Sequence, residues 1–244
     1  VLLGAADAAG RAWATLLRGA PGFASVPSAD RLHLAAVPPP GDPLAATLAA
    51  PAEVGTLLID PPTRRRMRLN GRARPDGAGG LEIEVRQVYA NCPRYIQPRT
   101  VSLPGTLGAP VATGSRITPG QRAWLEQADT LFIATRHPGA GADVSHRGGA
   151  PGFVRVPEAG RVQLADYPGN MMFNTLGNVA VDGRAGLLLV DFDSGRTLQL
   201  SGRATIVWEA GLVATFPGAQ RVLELDVEAL VETAGPLPEQ APAG

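Results

Sequence analysis

The chain has 244 residues, enough for one large domain or two small ones, and its 45% hydrophobic and 18% charged residues are typical of a globular protein. The 22 basic and 22 acidic residues cancel, so no overall field favours nucleic acid or an anionic membrane as a partner. Every basic residue is an arginine, which excludes chemistry that needs a lysine Schiff base but suits bidentate phosphate binding.

The cysteine count and the hydropathy pattern bear on where the protein works. Cys92 is the only cysteine, so no intrachain disulfide can form, and no apolar run is long enough to cross a bilayer. We therefore expect a cytoplasmic protein without a membrane segment. The opening VLLGAADAAG reads as a strand already under way rather than a signal peptide, and we expect residues upstream of Val1.

The sequence is internally duplicated, with residues 2–74 recurring in order at about 132–205. Five pairs of segments match at a nearly constant offset. They are GAPGF at 19–23 and 149–153, RLHLA and RVQLA at 31–35 and 161–165, PGDPLAATL and PGNMMFNTL at 40–48 and 168–176, GTLLID and GLLLVD at 55–60 and 186–191, and RMRLNGRA and TLQLSGRA at 66–73 and 197–204. A duplicated domain explains this pattern better than chance does.

Each copy reads as short strands separated by turns. Apolar runs such as LLGAAD and LFIAT indicate buried strands, and RLHLA and RVQLA alternate as half-buried strands do. PPTRR and FDSGR predict hairpin turns, while PLAATLAA and MMFNTLGN predict short helical segments after a Pro-Gly turn. About six strands with one or two short helices per copy predict a mostly β protein built from small antiparallel barrels.

The pattern also predicts domain boundaries. The first barrel takes residues 1–105 and the second takes 129–235. Residues 106–128 form a linker with a short helix, for which Thr118 is the expected N-cap and Pro119 the first helical residue. Trp124 and Leu125 would dock that helix on the core. Residues 236–244, rich in proline, are expected to be a disordered tail.

Three polar clusters could carry chemistry. The first is Ser145, His146, Arg147, Gly148 and Gly149, where a hydroxyl, an imidazole and a guanidinium precede glycines that admit a ligand to the backbone. The first copy has Leu16, Leu17 and Arg18 at the matching place, so only the second is enriched in polar groups. The structural alternative is a strand end whose His146 and Arg147 pair with a nearby carboxylate.

The second cluster is a turn and helix start with several polar groups. It comprises Asp166, Tyr167, Pro168, Gly169, Asn170, Phe173, Asn174 and Asn178. If helical, Asn170 and Asn174 share one face, and their amides suit a phosphate or a heterocycle edge; helix capping is the alternative.

The third cluster, residues 91–97 with sequence NCPRYIQ, has no counterpart in the second copy. Arg94 and Tyr95 could cover a ligand, whereas Cys92 lacks a sequence neighbour that would make it a nucleophile. Dinucleotide, Walker A, zinc and G-x-S-x-G motifs are absent from the sequence, and the run from Arg64 to Arg66 is interpreted as a solvated hairpin turn.

The second copy, from SHRGGAPGFVRV to LQLSGRA, resembles the pyridoxamine 5′-phosphate oxidase-like, FMN-binding split-barrel superfamily, and NCPRYIQ looks like a block of the same subgroup. The resemblance implies tandem split β-barrels that form a pseudo-dimer within one chain, with FMN at their interface. Many relatives carry a basic residue in the phosphate-binding turn, where this chain has Met171 and Met172. Arg147, Arg203 or backbone N–H groups near the helix start would then bind the phosphate.

The resemblance thus implies a set of cofactor-binding residues. They are Ser145, His146, Arg147, Gly148, Asp166, Tyr167, Asn170, Asn174 and Arg203. The expected function is an FMN-dependent oxidoreductase acting on a small-molecule substrate, with a homodimer of two such chains as an option. The alternative is a non-catalytic module that binds haem or a deazaflavin, with His146 or His137 as an axial ligand to haem. A purely structural role is the third possibility, against which the polar asymmetry between the copies argues.

Overall fold

Two antiparallel sheets, one for each copy of the repeat, make up most of the chain. The structure is a computed structural model that describes residues 1–90, 92–101, 108–169 and 172–235. The first sheet has seven strands and the second has eight. The prediction of a mostly β fold is confirmed.

The first sheet has the order β2-β1-β5-β6-β7-β4-β3. Its strands are β1 (Leu2–Ala6), β2 (Ala12–Leu16), β3 (Ala24–Ser28), β4 (Arg31–Leu34), β5 (Ala52–Asp60), β6 (Arg65–Pro75) and β7 (Leu81–Ala90). The helical segment expected after the Pro-Gly turn is only a 3₁₀ turn, Thr47–Ala49.

The second sheet repeats that topology, in the order β10-β9-β13-β14-β15-β12-β11, with β8 added against β15. Its strands are β8 (Pro110–Gly114), β9 (Thr130–His137), β10 (Gly141–Gly148), β11 (Val154–Glu158), β12 (Arg161–Asp166), β13 (Arg184–Val190), β14 (Thr197–Val207) and β15 (Arg221–Thr233). The helices are α1 (Pro119–Gln127), α2 (Asn174–Val181) and α3 (Ala210–Ala214). Each strand from β9 onward matches the strand eight positions earlier, which confirms the duplication.

The region expected to be a linker contributes to the second barrel. Helix α1 starts as predicted: the Thr118 side chain accepts from the Gln121 N–H, and the Gln121 side chain accepts from the Thr118 N–H. Leu125 is buried in the core of the second barrel and Trp124 packs against it. The prediction left out strand β8, whose five residues pair with the end of β15. Residues 236–244, expected to be a tail, lie outside the described residues.

Three apolar cores follow from this arrangement. One lies within each copy, and a third joins them with side chains from both, among them Leu2, Leu57, Phe132, Val144 and Leu188. The strands that supply this shared core are hydrogen-bonded to each other within each copy, so one face of each barrel packs on its mate. The tandem split barrels therefore form the predicted pseudo-dimer within one chain. Within the described residues, no helix has the length and apolar character needed to span a membrane.

Two glycines at matching positions let the barrels approach each other. A Cβ on Gly55 of β5 would lie 2.5 Å from the Cα of Asp143 in β10, and one on Gly186 of β13 would lie 2.4 Å from the carbonyl oxygen of Ala12 in β2. Real side chains do not approach a backbone so closely. Glycine is therefore required by the space between the strands at both positions.

We expect Gly55→Ala to lower the free energy of unfolding by about 1–3 kcal/mol, because the added methyl group forces β5 and β10 apart. Gly120→Ala is the matched control, since nothing lies within 4 Å of a Cβ there and the site is in helix α1. The control should be neutral or stabilising by up to about 1 kcal/mol. Denaturant unfolding of both variants measures the difference, and equal stabilities would contradict the packing argument.

Candidate functional site

A cavity of about 270 Å³ lies where the two copies meet, near the lower end of the size range of small-molecule sites. Both copies contribute to its walls. The lining residues are Arg66, Arg68, Cys92, Arg94, Tyr95, Ser145, His146, Arg147, Gly148, Ala165, Asp166, Tyr167, Pro168, Gly169, Met172, Phe173, Leu176, Gln220 and Arg221.

Four pieces of backbone bring these side chains together. Strand β6 of the first copy carries Arg66 and Arg68, and strand β10 of the second carries the polar run from Ser145 to Gly148. The end of β12 with the turn that follows it supplies the third wall, and residues 92–95 supply the fourth. A Cβ on Gly148 would lie 2.3 Å from the carbonyl oxygen of Tyr95. Glycine at that position therefore allows the segment from the first copy to close over β10.

The carboxylate of Asp166 is the main anionic group of the cavity wall. It is buried, and one of its oxygens accepts a hydrogen bond from Arg147 Nη1. Its other oxygen lies 3.0 Å from Arg221 Nε, without the alignment of a hydrogen bond. Burial lowers the pKa of Arg147, and the charge of Asp166 acts in the opposite direction. Arg147 thus pairs with a carboxylate, as the structural alternative expects, and that carboxylate is Asp166 in the cavity wall.

Arg66 and His146 form a contact across the two copies. Arg66 Nη1 lies 3.1 Å from His146 Nδ1 and 3.4 Å from the carbonyl oxygen of the same residue. Burial, followed by the charges of Arg66, Arg147 and Arg99, lowers the pKa of His146 to about 3. Burial, followed by the charges of Arg68 and Arg147, lowers the pKa of Arg66 to about 10. His146 is therefore a neutral imidazole at physiological pH.

Positive charge exceeds negative charge around the cavity. Five arginines line it, and their carboxylate partners in the wall are Asp166 and, behind Arg68, the buried Asp143 at 2.9 Å. The Nε atoms of four of the five are buried without a hydrogen-bond partner among the described residues. These four are Arg66, Arg68, Arg147 and Arg221. Guanidinium groups in this state favour an anion with several oxygen acceptors, such as a phosphate.

Residues 92–97 cover the cavity from the first copy. The hydroxyl of Tyr95 donates to the carbonyl oxygen of Pro168 at 2.8 Å, and Arg94 Nη1 donates to the same oxygen at 3.3 Å. The rings of Tyr95 and Tyr167 lie 5.5 Å apart at 42°. The segment therefore ties the first copy to the turn after β12, and it adds two aromatic rings to one side of the site. Asn91, the first residue of that cluster, lies outside the described residues.

Most of the residues expected to bind a cofactor line this cavity. Ser145, His146, Arg147 and Gly148 come from β10, and Asp166 and Tyr167 from the end of β12 and its turn. Asn170 and Met171 lie outside the described residues, so the structure does not place them.

Arg203 and Asn174 do not line the cavity. Arg203 lies on β14 with 61% of its side chain exposed and faces Glu228 at 3.6 Å. It has a counterpart in the first copy, Arg72, which is also exposed, so it belongs to the repeated scaffold. Asn174 begins helix α2, and Asn178 of the same helix donates to the hydroxyl of Thr135. Neither residue therefore contributes to the wall of this cavity.

The strongest omission of the sequence prediction is Arg66, which was interpreted as part of a solvated hairpin turn. Arg66 and Arg68 alternate on β6, at positions that pair with Ile59 and Leu57 of β5. The second copy has Thr197 and Gln199 at the matching places. That mismatch was visible in the repeat, since the arginines occur in only one copy. Arg221, at the start of β15, gave no such signal.

The mate cleft, at the pseudo-symmetric position, is filled by the protein. Leu16 and Leu17 are buried where the second copy has His146 and Arg147. Asp42 accepts hydrogen bonds from the Thr15 hydroxyl, the Leu44 N–H and the Gln199 side chain. Burial raises the pKa of Asp42. The polar groups of the cavity therefore lie in one of the two pseudo-symmetric clefts, which fits the asymmetry of the repeat.

Two further groups of possible ligands are metal-binding side chains and His137. In the described ranges, no three His, Cys, Asp or Glu side chains group closely enough to hold a metal ion. His137 lies at an exposed turn, where its Nδ1 accepts from the Gly139 N–H, and it does not line the cavity.

Comparison with known proteins relates the second copy to one family model. Residues 117–235 match the family model of pyridoxamine 5′-phosphate oxidase. A comparison with the curated proteins gives no match.

Solved structures that the chain resembles cover about half of it. HupZ of Group A Streptococcus is 14% identical with a TM-score of 0.41, over 50% of this chain and 99% of its own. A putative pyridoxamine 5′-phosphate oxidase of Lactobacillus delbrueckii is 13% identical with a TM-score of 0.41, over 50% and 97%. HutZ, the haem storage protein of Vibrio cholerae, is 14% identical with a TM-score of 0.36, over 49% and 97%. Likeness at this level carries no argument about ligands.

The low pKa of His146 predicts an acid-sensitive contribution to stability. The pKa of His146 is about 3 in the folded state and about 6.5 in the unfolded state. Between pH 6.5 and pH 3, the imidazole is therefore protonated in the unfolded chain and neutral in the folded chain. Stability is therefore lost as the pH falls through this window, by up to about 1.4 kcal/mol per pH unit. Between pH 7 and pH 5, we expect wild type to lose about 2 kcal/mol more than His146→Gln in denaturant unfolding. Parallel pH profiles would contradict the buried neutral imidazole.

Proposed function

We propose that the cavity between the two copies binds FMN and that the protein is an FMN-dependent oxidoreductase acting on a small molecule, in keeping with the match of residues 117–235 to the pyridoxamine 5′-phosphate oxidase model. The observation that carries the proposal is the surplus of arginine in the cavity wall. Five guanidinium groups face two carboxylates there, and four of their Nε atoms have no hydrogen-bond partner among the described residues.

A buried anion requires charge-assisted hydrogen bonds to offset its desolvation. The phosphate group of FMN carries the charge and the oxygen acceptors that these arginines lack. Arg66 and Arg147 are the best placed to hold it, since Arg66 faces a neutral imidazole and Arg147 shares Asp166 with Arg221. Each can place two N–H groups on one phosphate.

Other residues of the site would orient and enclose the flavin. Tyr95 and Tyr167 offer aromatic faces, and the hydrogen bonds from residues 94 and 95 to Pro168 hold the cover of the site in place. When bound, FMN would supply the hydride or electron transfer. The protein would contribute binding, orientation and the exclusion of water. The observed pairing of the two copies supports a site that needs both.

A deazaflavin with a phosphate group would use the same arginines. Haem is the other alternative, since its propionates are also anions and His146 is the histidine that lines the cavity. An absorption spectrum of the purified protein separates the three, because flavin, deazaflavin and haem absorb at different wavelengths. A flavin spectrum is the expected result, and a Soret band would overturn the proposal.

We expect Arg66→Met and Arg147→Met each to weaken FMN binding by roughly 10- to 150-fold, since a hydrogen bond to a charged group is worth about 1.5–3 kcal/mol. Riboflavin, which lacks the phosphate, should bind weakly and lose little in either variant. Fluorescence titration of the apoprotein measures both ligands. Arg203→Met is the matched control, because Arg203 lies outside the cavity, and it should bind FMN like wild type. Equal affinities for FMN and riboflavin, or a large effect of the control, would sink the phosphate assignment.

A further inference from the structure

The contact between Arg66 and His146 determines which ring nitrogen of the histidine carries the proton. A guanidinium group can only donate hydrogen bonds, so His146 Nδ1, 3.1 Å from Arg66 Nη1, must accept with its lone pair. A neutral imidazole has one N–H, which therefore resides on Nε2. The tautomer follows from the hydrogen-bond network alone.

Close packing restricts the orientation of the His146 ring. His146 is 5% exposed and packs edge-on against Phe132, with ring centroids 5.8 Å apart and an interplanar angle of 66°. A Cβ on Gly148 would also lie 3.0 Å from His146 Cε1, so Gly148 leaves little space beside the ring. The surrounding positive charges of Arg66, Arg147 and Arg99 disfavour a second proton on the ring.

The Nε2 atom is buried and has no hydrogen-bond partner among the described residues, although the residue lines the cavity. A buried donor without an acceptor is unfavourable and rare in folded proteins. We propose that His146 donates a hydrogen bond from Nε2 to the occupant of the cavity, and that Arg66 is the positioning residue that fixes it as a donor. This inference rests on the proposed function and extends it: the occupant has a carbonyl oxygen or an unprotonated ring nitrogen at that point, as an oxidised flavin does.

The same geometry disfavours ligation of haem iron by His146 Nε2. Iron binds the lone pair of a neutral imidazole nitrogen, so ligation through Nε2 requires the ring proton to sit on Nδ1. There it would point at the N–H of Arg66, 3.1 Å away. Arg66 thus acts as a specificity-determining residue that admits an acceptor atom and rejects a metal.

The pair exists in only one of the two clefts. Thr197 occupies the position of Arg66 in the second copy, and Leu16 occupies the position of His146 in the first. Neither can make this contact in the mate cleft, which the protein fills with its own side chains. Of the two pseudo-symmetric clefts, only the one that holds the cavity of about 270 Å³ therefore has this donor.

The first test reads the tautomer directly by ¹⁵N nuclear magnetic resonance of the ligand-free protein at pH 7. We expect a protonated Nε2 and an unprotonated Nδ1 for His146 in wild type. Arg66→Lys keeps a donor-only cation and should keep this tautomer, whereas Arg66→Met should give a mixture. An Nδ1–H tautomer in wild type would overturn the inference. The measurement needs no FMN, so its failure is distinct from a failure of the flavin proposal.

The second test uses haem as the probe. Wild type and Arg66→Lys should show no histidine-ligated haem spectrum, Arg66→Met should show one, and the double variant Arg66→Met/His146→Phe should lose it again. A histidine-ligated spectrum in wild type that disappears in His146→Phe would overturn the role of Arg66, and so would a folded Arg66→Met that shows no ligation. Near-ultraviolet circular dichroism of each variant confirms that it is folded.

The third test concerns the acceptor on the ligand, with FMN titrated into His146→Phe and His146→Gln. Loss of the donor should weaken FMN and riboflavin by a similar factor of about 2–12, as expected for one neutral hydrogen bond, with partial recovery in the glutamine variant. Unchanged FMN affinity in the phenylalanine variant would overturn the donor role. Absence of FMN binding in wild type would instead sink the flavin proposal, while the tautomer remains testable by the first experiment.

Discussion

The buried ion pair between Arg68 and Asp143 joins the two copies directly beneath the cavity. Arg68 Nη1 donates to Asp143 Oδ2 at 2.9 Å, and Asn70 donates to the other carboxylate oxygen at 3.2 Å. The side chains are only 7% and 4% exposed, so removal of one partner would leave an uncompensated charge at a penalty of about 3–5 kcal/mol. The pair holds β6 against β10, and these strands carry Arg66 and His146. The geometry of the site depends on it.

The same backbone arrangement supports a different chemistry in the mate cleft. Gln199 stands where Arg68 stands in the first copy, and it donates to the carbonyl oxygen of Ala14 and to Asp42. A neutral amide replaces the cation, and leucines replace the imidazole and guanidinium. The duplication therefore preserved the apolar contacts that hold the barrels together, while a cluster of five arginines formed at one cleft. The polar residues of one cleft can differ from those of the other because the shared apolar core, formed by side chains of both copies, holds the barrels together.

Repeats and local patterns predicted the scaffold because these depend on residues close in sequence. The two hairpins and the capping box at Thr118 required only nearby residues, and the run from Ser145 to Gly148 was visible as a mismatch between copies. Arg66 is also a mismatch between the copies, but the repeat does not reveal its partner, because that contact is with a residue 80 positions away. Arg203 is the opposite case: the first copy has Arg72 at the matching position, and a residue present in both copies belongs to the shared scaffold.

The unpartnered nitrogens of the cavity connect stability to binding. Each buried donor without an acceptor is unfavourable by about 1–3 kcal/mol, and four guanidinium Nε atoms and one imidazole Nε2 of the described cavity-lining residues are in this state. A ligand that supplies acceptors removes part of this penalty and stabilises the folded chain in proportion to its occupancy. Arg66 is the one of the four whose contacts are to a neutral imidazole and a carbonyl oxygen rather than to a buried carboxylate, so Arg66→Met should relieve the empty protein even as it weakens the complex. At a ligand site, the substitution raises the stability of the empty protein and lowers its affinity for the ligand. In a purely structural cluster, the same substitution would lower the stability of the protein as well.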